Sequence, residues 1–557
     1  PNATFLWPAG QPLQFSGSYA PQNQQLTVNA DDQSVLVTIR SEEEESQLAL
    51  HLAEFSAQCV SNNACTATQS STLHVPNFTS EAVTLENFSA VTSATLTIND
   101  GAFTLKLEQG SRIATDTMES GTTTLEDVNL LVLDTLTAEL TATGDLRAQS
   151  NGAELYLPSI LTGDSSASAV LKTTDLHVHL ASGVDAEPEI STKLQIRNLG
   201  SDVLPVILRN PEIDATLTLA NNSLQVESQA RIANRTVLLF SGTHSLASGT
   251  GEGTVEVPAL QFGAGEEGLS QFFFSSPYEA DLLAGTLAAT AQLRWHQDSA
   301  GRFLASGPIS ISADRLSGFY QDIALLELST TLTGELADMQ FTSNDYLHMQ
   351  IGSIDPGLPI ENIAFDYTID TANTTLEVRD VQANMFNGTL SSTGLAFDWS
   401  APGNLFALAL DNIDLSRLLA MGAYEGINAT GRISGALPIR VAGSNVSVRG
   451  GTLQVLAPGG SISYQSATGA NTGNAALDLV NLALSDYQYD VMEAEVDYLP
   501  SGELILAVKL EGISPAVNEG QQINVNLNVT DNIPALLESL QASRNITDAL
   551  QRELDER

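Results

Sequence analysis

The stretch Ile523-Asn524-Val525-Asn526-Leu527-Asn528-Val529 alternates apolar and polar residues without a break. Successive side chains of a β-strand point to opposite faces of a sheet, so this period of two predicts a strand with one apolar face. The segment 504–510 has the same pattern, and a turn at 499–502 joins it to a strand predicted over 491–498, which makes a hairpin. Similar runs recur along most of the chain between Gly, Asn, Asp and Ser residues. The sequence therefore predicts a mostly β protein.

Few segments favour a helix. Ser41 is followed by four glutamates and then by apolar residues at helical spacing, which predicts a helix over 42–57, because the serine can cap it and the carboxylates favour its positive end. A short helical turn is predicted at 414–421. A last helix is predicted within 531–557, beginning near Pro534, a residue suited to a first helical turn.

So many strands with so few helices must bury their apolar faces in some other way. Three arrangements achieve this: two sheets packed together, a closed solenoid, or a curved sheet whose apolar face holds lipid. A solenoid requires a fixed short repeat, and the sequence shows none. Periodicity alone leaves the packed sheets and the curved open sheet as alternatives.

The charge balance excludes one large class of partners. The chain has 557 residues with 66 acidic and 22 basic side chains, a formal net charge of −44. Such a surface repels phosphate backbones, so nucleic-acid binding is not expected. Charged residues are nevertheless only 16% and hydrophobic residues 43%, which is a foldable composition.

The two cysteines, Cys59 and Cys65, lie six positions apart. This spacing favours a disulfide in an oxidising compartment such as a periplasm, and the alternative is two buried thiols. A zinc site is not expected, since no second Cys or His pair stands nearby at ligand spacing.

The sequence contains no apolar segment of the roughly 18 residues needed to span a bilayer as a helix. It begins at Pro1 without a basic and then apolar leader. We therefore expect the sequence to be a piece of a longer protein.

Motifs of enzymes are almost absent, so we expect no enzyme activity and no cofactor. The sequence has no G-x-S-x-G, H-E-x-x-H, P-loop or C-x-x-C motif. Asp175, His177 and His179 would share one face of a strand, a spacing that allows metal binding. With no further ligand evident, we interpret them as the solvated face of that strand and predict no metal site.

Several stretches in the second half form an ordered set of motifs. They are Ile354-Asp355-Pro356-Gly357-Leu358-Pro359-Ile360, Met385-Phe386-Asn387-Gly388-Thr389-Leu390, Asn412-Ile413-Asp414-Leu415-Ser416-Arg417, Gly431-Arg432-Ile433-Ser434-Gly435-Ala436-Leu437-Pro438, Pro458-Gly459-Gly460-Ser461 and Asn532-Ile533-Pro534-Ala535-Leu536-Leu537. In this order they resemble the C-terminal part of the YdbH family of AsmA-like proteins, which are related to TamB and YhdP. The resemblance covers about residues 280–545.

The resemblance implies a long, curved and twisted antiparallel sheet with a hydrophobic groove, a few short helices and a C-terminal helix. We expect residues 1–280 to form the first part of this groove, 281–530 a YdbH-like second part, and 531–557 the last helix. The family is implied to carry phospholipids from the inner to the outer membrane across the periplasm of a Gram-negative bacterium. An N-terminal inner-membrane helix, missing here, and a small outer-membrane lipoprotein at the C-terminal end are the implied partners besides the phospholipids.

The alternating strands supply the candidates for the groove lining. They are Phe103, Leu105, Leu107, Leu376, Val378, Leu504, Leu506, Val508, Leu510, Ile523, Val525, Leu527 and Val529. The last strand is expected to offer an unpaired edge to which a partner can add a strand.

Two rival functions remain at this point. A secreted or cell-surface adhesin built of β-sandwiches would have a dry, closed core. A polysaccharide-active β protein would need paired carboxylates and exposed aromatic platforms, and three tryptophans among 6% aromatic residues make this the weaker rival.

Overall fold

The part of the chain that the structure describes is almost entirely extended. The computed structural model describes residues 4–6, 14–20, 22, 24–40, 45–61, 64–79, 83–163, 165–182, 187–202, 207–263, 268–275, 277, 279–298, 302–321, 323–355, 358–421, 426–443, 445–465, 475–517 and 521–532. This part of the chain contains 36 β-strands, two α-helices and one short 3-10 helix. The prediction of a mostly β protein with few helices is confirmed.

The strands up to the middle of the chain are β1 (Thr4–Leu6), β2 (Ser16–Ala20), β3 (Gln25–Arg40), β4 (Glu45–Ser61), β5 (Ala64–Thr79), β6 (Thr84–Asn99), β7 (Ala102–Leu107), β8 (Arg112–Ser120), β9 (Thr123–Val132), β10 (Leu136–Leu140), β11 (Leu146–Ser150), β12 (Ala153–Thr162), β13 (Ser165–Leu180), β14 (Pro188–Ser201), β15 (Ile207–Leu208), β16 (Glu212–Ala220), β17 (Ser223–Ile232), β18 (Arg235–Ser245) and β19 (Thr250–Phe262). The 3-10 helix Leu269–Phe272 follows.

The remaining elements are β20 (Phe273–Ser275), β21 (Ala280–Gln297), β22 (Phe303–Tyr320), β23 (Ile323–Ala337), β24 (Gln340–Ser343), β25 (Leu347–Asp355), β26 (Ile360–Asp370), β27 (Thr375–Met385), β28 (Gly388–Asp398), β29 (Asn404–Asp414), α1 (Leu415–Met421), β30 (Ile427–Ala429), β31 (Arg432–Ala442), β32 (Asn445–Val455), β33 (Gly460–Tyr464), α2 (Ala475–Leu484), β34 (Tyr487–Tyr498), β35 (Glu503–Ile513) and β36 (Gln522–Asn532).

The chain divides into two compact units. The N-terminal unit comprises residues 1–258, 271–277 and 292–304, and the C-terminal unit comprises 259–270, 278–291 and 305–557. The predicted domain limits, with a division at 280/281, stay a prediction.

The N-terminal unit is an antiparallel meander. Strands β3, β4, β5, β6, β8, β9, β12, β13, β14, β16, β17, β18 and β19 pair in this order. The short strands β7, β10 and β11 form a second connection between β6 and β13. Because neighbours in the sheet are also neighbours in sequence, tight turns suffice to connect most of them.

The C-terminal unit has the same plan. Strands β22, β23, β25, β26, β27, β28, β29, β31, β32, β34, β35 and β36 pair in this order, all antiparallel. The hairpin predicted around 499–502 is confirmed as the β34–β35 pair, closed by the Gly502 N–H, which donates to the Leu499 carbonyl at 2.9 Å.

Two-residue turns close several of these hairpins. Asn221 and Asn222 join β16 to β17 with φ angles of 51° and 54°, and Asp338 and Met339 join β23 to β24 with 49° and 71°. Two successive left-handed residues are typical of a type I′ turn, whose twist matches that of the flanking strands.

Residues with positive φ also occur inside strands. Asp127, Asp175, Asn362, Asp380 and Asn412 have φ between 51° and 57° in β9, β13, β26, β27 and β29. Asp and Asn tolerate this conformation better than other residues with a Cβ. The register shifts beside Asp175, Asp380 and Asn412 in their strand pairs, as expected for β-bulges, which bend a strand and re-aim the side chains that follow.

The helix predictions have mixed outcomes. The predicted helix over 42–57 is wrong: residues 45–61 form β4, paired with β3 on one side and β5 on the other. Leu48, Leu50 and Leu52 also satisfy a period of two, and pairing along both edges outweighs the helix-start signal of the glutamates. The short helix at 414–421 is confirmed as α1, whereas α2 has no counterpart among the sequence predictions.

The last predicted helix lies almost wholly outside the described residues, since Asp531 and Asn532 end β36 and 533–557 are not described. The predicted disulfide is confirmed: Cys59 and Cys65 are directly opposed on β4 and β5 and are bonded to each other.

Candidate functional site

One row of apolar side chains crosses the N-terminal unit from strand to strand. Residues that are directly opposed in a ladder share a face of the sheet. Following the pairing from β3 to β18 gives twelve directly opposed residues, all of them apolar. We call them the long row: Val35, Leu50, Leu73, Ala90, Ile113, Leu130, Leu155, Leu171, Ile196, Ile213, Ala230 and Leu238.

The neighbouring row on the opposite face of the sheet is mainly polar. Its members are Ser34, His51, Thr72, Val91, Arg112, Leu131, Glu154, Lys172, Gln195, Asp214, Gln229 and Leu239. Nine of these twelve are polar or charged, so the two faces of the sheet differ sharply at this level. The N-terminal unit is an amphipathic sheet.

The long row is only partly shielded from water. Val35 and Ala90 are buried, and the other ten residues are half-buried. In a close-packed protein interior, aliphatic residues at the centre of a sheet face are normally fully buried. The face that carries the long row therefore keeps apolar surface accessible.

The predicted residues of β7 lie in rows of the same kind. Phe103 belongs to the row Ile98, Phe103, Leu140, Leu146 and Leu180, and Leu105 to the row Leu96, Leu105, Ala138, Ala148 and Val178. Leu107 faces Ala94 and Leu136. Phe103 is 44% and Leu105 38% exposed, so this part of the apolar face is open.

The C-terminal unit has a shorter apolar row. Eight directly opposed residues from β27 to β36 are apolar or Gly: Ala383, Leu390, Leu410, Gly435, Leu453, Ala494, Val508 and Leu527. The predicted lining residues Val508 and Leu527 are thus directly opposed. Val525 faces Leu510, Val529 faces Leu506, and Ile523 faces Gly512 on the same two strands.

The other predicted residues of this unit also have apolar partners. Leu376 faces Ile369 and Phe397, and Val378 faces Tyr367 and Leu395. Leu504 faces Tyr498 on one side and the charged Asp531 on the other.

A group of apolar side chains near the end of the C-terminal unit is closed off from water, although Val529 is 43% exposed. Tyr487 and Leu510 are 0% exposed, and Ile413 and Tyr489 are 1% exposed. We call these four residues, with Ala383, Leu390, Ile433, Leu484 and Met492, the closed cluster. Leu484 comes from α2, and Val508, Ile523, Val525 and Leu527 pack against the cluster from outside.

The buried tyrosines find hydrogen-bond acceptors in the backbone. The Tyr487 hydroxyl donates to the Ile523 carbonyl and the Tyr489 hydroxyl to the Thr430 carbonyl, each at 2.6 Å. Burial raises the pKa of Tyr489 to about 12, because a phenolate would lose its hydration there. A Cβ on Gly460 would lie 2.6 Å from the Tyr489 hydroxyl oxygen, so a motif glycine makes room for this ring.

The motif Asp175, His177 and His179 does not act as one group. Asp175 forms an ion pair with Lys193 at 2.7 Å, and this hydrogen bond lowers the pKa of the carboxyl. His179 Nδ1 lies 3.3 Å from Glu189 Oε2. Within the described part of the chain, no three His, Cys, Asp or Glu side chains are grouped so that they could hold a metal ion.

Sequence reasoning named lining residues on β7 but none on the twelve strands that supply the long row, of which it recognised only the general alternation. Each contributes one apolar residue from an alternating run, for example Leu155 in β12 and Ile196 in β14. Alternation marks such residues, whereas the register that aligns them is set by turns and bulges.

Among the helices of the described residues, none is long and apolar enough to span a membrane. No curated protein and no solved structure gives a significant match to the chain. A protein-family model named YdbH-like, described as intermembrane phospholipid transport protein YdbH, matches residues 165–555. This range covers more than half of the chain and extends well upstream of the motifs around 354–537. The chain belongs to the YdbH-like family of intermembrane phospholipid transport proteins.

Proposed function

We propose that this chain carries phospholipids between two membranes by holding their acyl chains on its apolar sheet face. The observation that carries the proposal is the long row, which is apolar across twelve strands that pair in succession and half-buried at ten of its twelve residues. The family match supports the same transport. The predicted residues of β7 and the half-buried ones of the C-terminal unit, Val508 and Leu527 included, would extend the lining, whereas Leu510 is fully buried in the closed cluster.

Such transport requires no catalytic residue and no cofactor. Burying an acyl chain contributes about 0.8 kcal/mol per CH₂, so a lipid leaves a membrane slowly without help. A continuous apolar row allows a lipid to move from strand to strand without exposing its tails to water. The polar row on the other face keeps the sheet soluble while the headgroup stays hydrated.

The periplasm is the proposed location, with the inner membrane and a small outer-membrane lipoprotein as partners. The Cys59–Cys65 disulfide fits an oxidising compartment. At the C-terminal end, β36 pairs with β35, and no other described strand pairs with it. An open edge of this kind can accept a strand from a partner, so proline at Val525 or Leu527 should abolish docking of the lipoprotein.

The proposal is tested by native mass spectrometry and lipid extraction of the chain purified without detergent. We expect several phospholipids per chain. Ile196→Asp places a charge on the long row and should remove most of the bound lipid. Gln195→Asp adds the same charge to the adjacent residue of β14, which points to the opposite face, and should leave the lipid in place.

A lipid-free chain that is nevertheless well folded would contradict the proposal. It would favour the rival function, a secreted or cell-surface β-sandwich protein whose apolar faces pack on each other. Equal lipid loss from both variants would show that charge, and not the long row, controls binding.

A further inference from the structure

A cavity of about 820 Å³ lies in the C-terminal unit, where β26, β27, β28 and β29 end close to α1. This volume is in the usual range of pockets that bind small molecules. Its wall includes Glu361, Asn384, Thr389, Asp411 and Arg417. It lies outside the apolar rows described above, and it brings together parts of three of the sequence motifs.

Four of the wall residues form a polar row. Glu361 is directly opposed to Asn384, Asn384 to Thr389, and Thr389 to Asp411. Asn384 follows Ala383 in sequence, and Thr389 precedes Leu390. Because adjacent residues of a strand point to opposite faces, the polar row lies on the face opposite to the apolar row of this unit. The cavity floor therefore offers two carboxylates, an amide and a hydroxyl.

The two arginines near this floor differ in what they contact. Arg432 Nη1 donates to the carbonyls of Asn387 and Asn412 at 3.1 and 3.0 Å, and Nη2 lies 3.7 Å from Asp414 Oδ2. Arg432 therefore links the ends of these strands, and its guanidinium already has hydrogen-bond and ion-pair partners within the protein.

Arg417 is exposed on α1 and lines the cavity. Among the described residues, no acidic side chain forms an ion pair with it. Arg417 is the one basic residue among the described residues of the cavity wall.

The carboxylates of the floor also retain capacity to bind. One oxygen of Asp411 accepts a hydrogen bond from the Ser434 hydroxyl at 2.8 Å, and no described basic side chain pairs with Asp411. Glu361 is exposed and likewise has no basic partner among the described residues.

The cavity also has an apolar wall. Met385 and Phe386 line it, and both pack against the closed cluster.

We propose that this cavity binds a phosphate ester that carries an ammonium group, the chemistry of a phosphoethanolamine headgroup. Arg417 would hold the phosphate as a charge-assisted hydrogen-bond donor, and the exposed carboxylate of Glu361 would hold the ammonium. A simple anion would meet two carboxylates, and a simple cation would leave the arginine unpaired, so the zwitterion fits best. The binding chemistry stands by itself, and only the identification of the source as a transported lipid rests on the proposed function.

Calorimetric titration of the full chain with soluble sn-glycero-3-phosphoethanolamine tests the binding chemistry. Inorganic phosphate and ethanolamine, titrated separately, should each bind at least about tenfold more weakly. Arg417→Gln and Glu361→Gln should each weaken binding of the zwitterion by at least about tenfold. Arg449→Gln, which removes an exposed arginine of β32 that does not line the cavity, should leave it unchanged.

Circular dichroism of each variant verifies that the fold is retained. Absence of binding by the unmodified chain, equal binding of inorganic phosphate, or equal losses in the Arg449→Gln control would each overturn the proposal.

A second arm identifies the source of the ligand. Loading the chain from vesicles of phosphatidylethanolamine and of phosphatidylglycerol should show a preference for the former that Arg417→Gln abolishes. If the chain takes up no lipid from vesicles but still binds the soluble ligand, the cavity site is supported and the proposed transport function is overturned. If lipid loads normally but without a headgroup preference, and the soluble ligand does not bind, the cavity site is overturned and the proposed transport function stands.

Discussion

Two groups of apolar residues, the long row of the N-terminal unit and the closed cluster of the C-terminal unit, come mainly from strands with the same alternating pattern. They differ in their access to water. Ten of the twelve residues of the long row are half-buried. In the closed cluster, Tyr487 and Leu510 have no exposed surface. Alternation produced an apolar face in both places, and only one of the two faces has been covered.

The cover of the closed cluster consists of identifiable side chains. Leu484 on α2 contributes to it, as do the buried rings of Tyr487 and Tyr489, and the Tyr489 side chain fills the space beside Gly460. An apolar sheet face therefore becomes a closed core where large side chains and a helix lie over it. Where they do not, the apolar face remains accessible to water.

The largest expected effect contrasts one leucine from each region. Leu510→Ala should lower the local free energy of unfolding by about 3 to 5 kcal/mol, since it leaves a cavity in a fully closed site. Leu171→Ala on the long row should cost about 1 kcal/mol, because its site is already half open. Hydrogen exchange measured by mass spectrometry over β13 and β35 reports both values. Equal costs would mean that the long row is as tightly packed as the closed cluster.

The next effect concerns the N-terminal unit alone. Reduction of the Cys59–Cys65 disulfide, or its replacement by two serines, should destabilise the β4–β5 hairpin by about 2 kcal/mol, as expected for a short closed loop. Exchange in β34 to β36 serves as the internal control and should not change. A loss of protection there would show that the effect of the disulfide is not confined to the β4–β5 hairpin.

The smallest effect lies inside the closed cluster. Tyr489→Phe removes the hydrogen bond to the Thr430 carbonyl and should cost about 1 kcal/mol at neutral pH. The folded pKa of Tyr489 is about 12, above the unfolded value of about 10. Its stabilising contribution is therefore complete below pH 10 and is lost as the pH rises through 12.

Unfolding of the unmodified chain and of Tyr489→Phe between pH 9 and 12.5, with tyrosinate absorbance recorded in parallel, checks this sign. The unmodified chain should lose more stability over this range than the variant. An identical pH dependence would show that Tyr489 is not the group that titrates in the closed cluster.

Much of the fold could be predicted because alternation is a local property. The strands around 491–510 and 523–529 and the short helix after Asp414 follow from patterns that a few neighbouring residues define. The segment 42–57 was misread because Leu48 and Leu52 fit the spacing of a helix and of a strand alike. Only its pairing with β3 and β5 distinguishes the two.

The candidate site was less accessible to sequence reasoning. Phe103 and Leu105 were identified as lining residues from a five-residue run, and they lie exposed in apolar rows. Leu510 was identified by the same pattern and lies in the closed cluster. The cavity beside Arg417 had no signal in the pattern, because its carboxylates come from strands that are distant in sequence.

The amino-acid sequence by itself determined that this chain is built of amphipathic strands, that its surface is strongly acidic, and to which family it belongs. These properties depend on residue types and on short spacings. The tertiary structure decided which apolar residues stand opposite one another and which of them water can reach. Register and coverage depend on turns, on left-handed Asp and Asn residues within strands, and on α2, and these bring together parts of the chain that no local pattern connects.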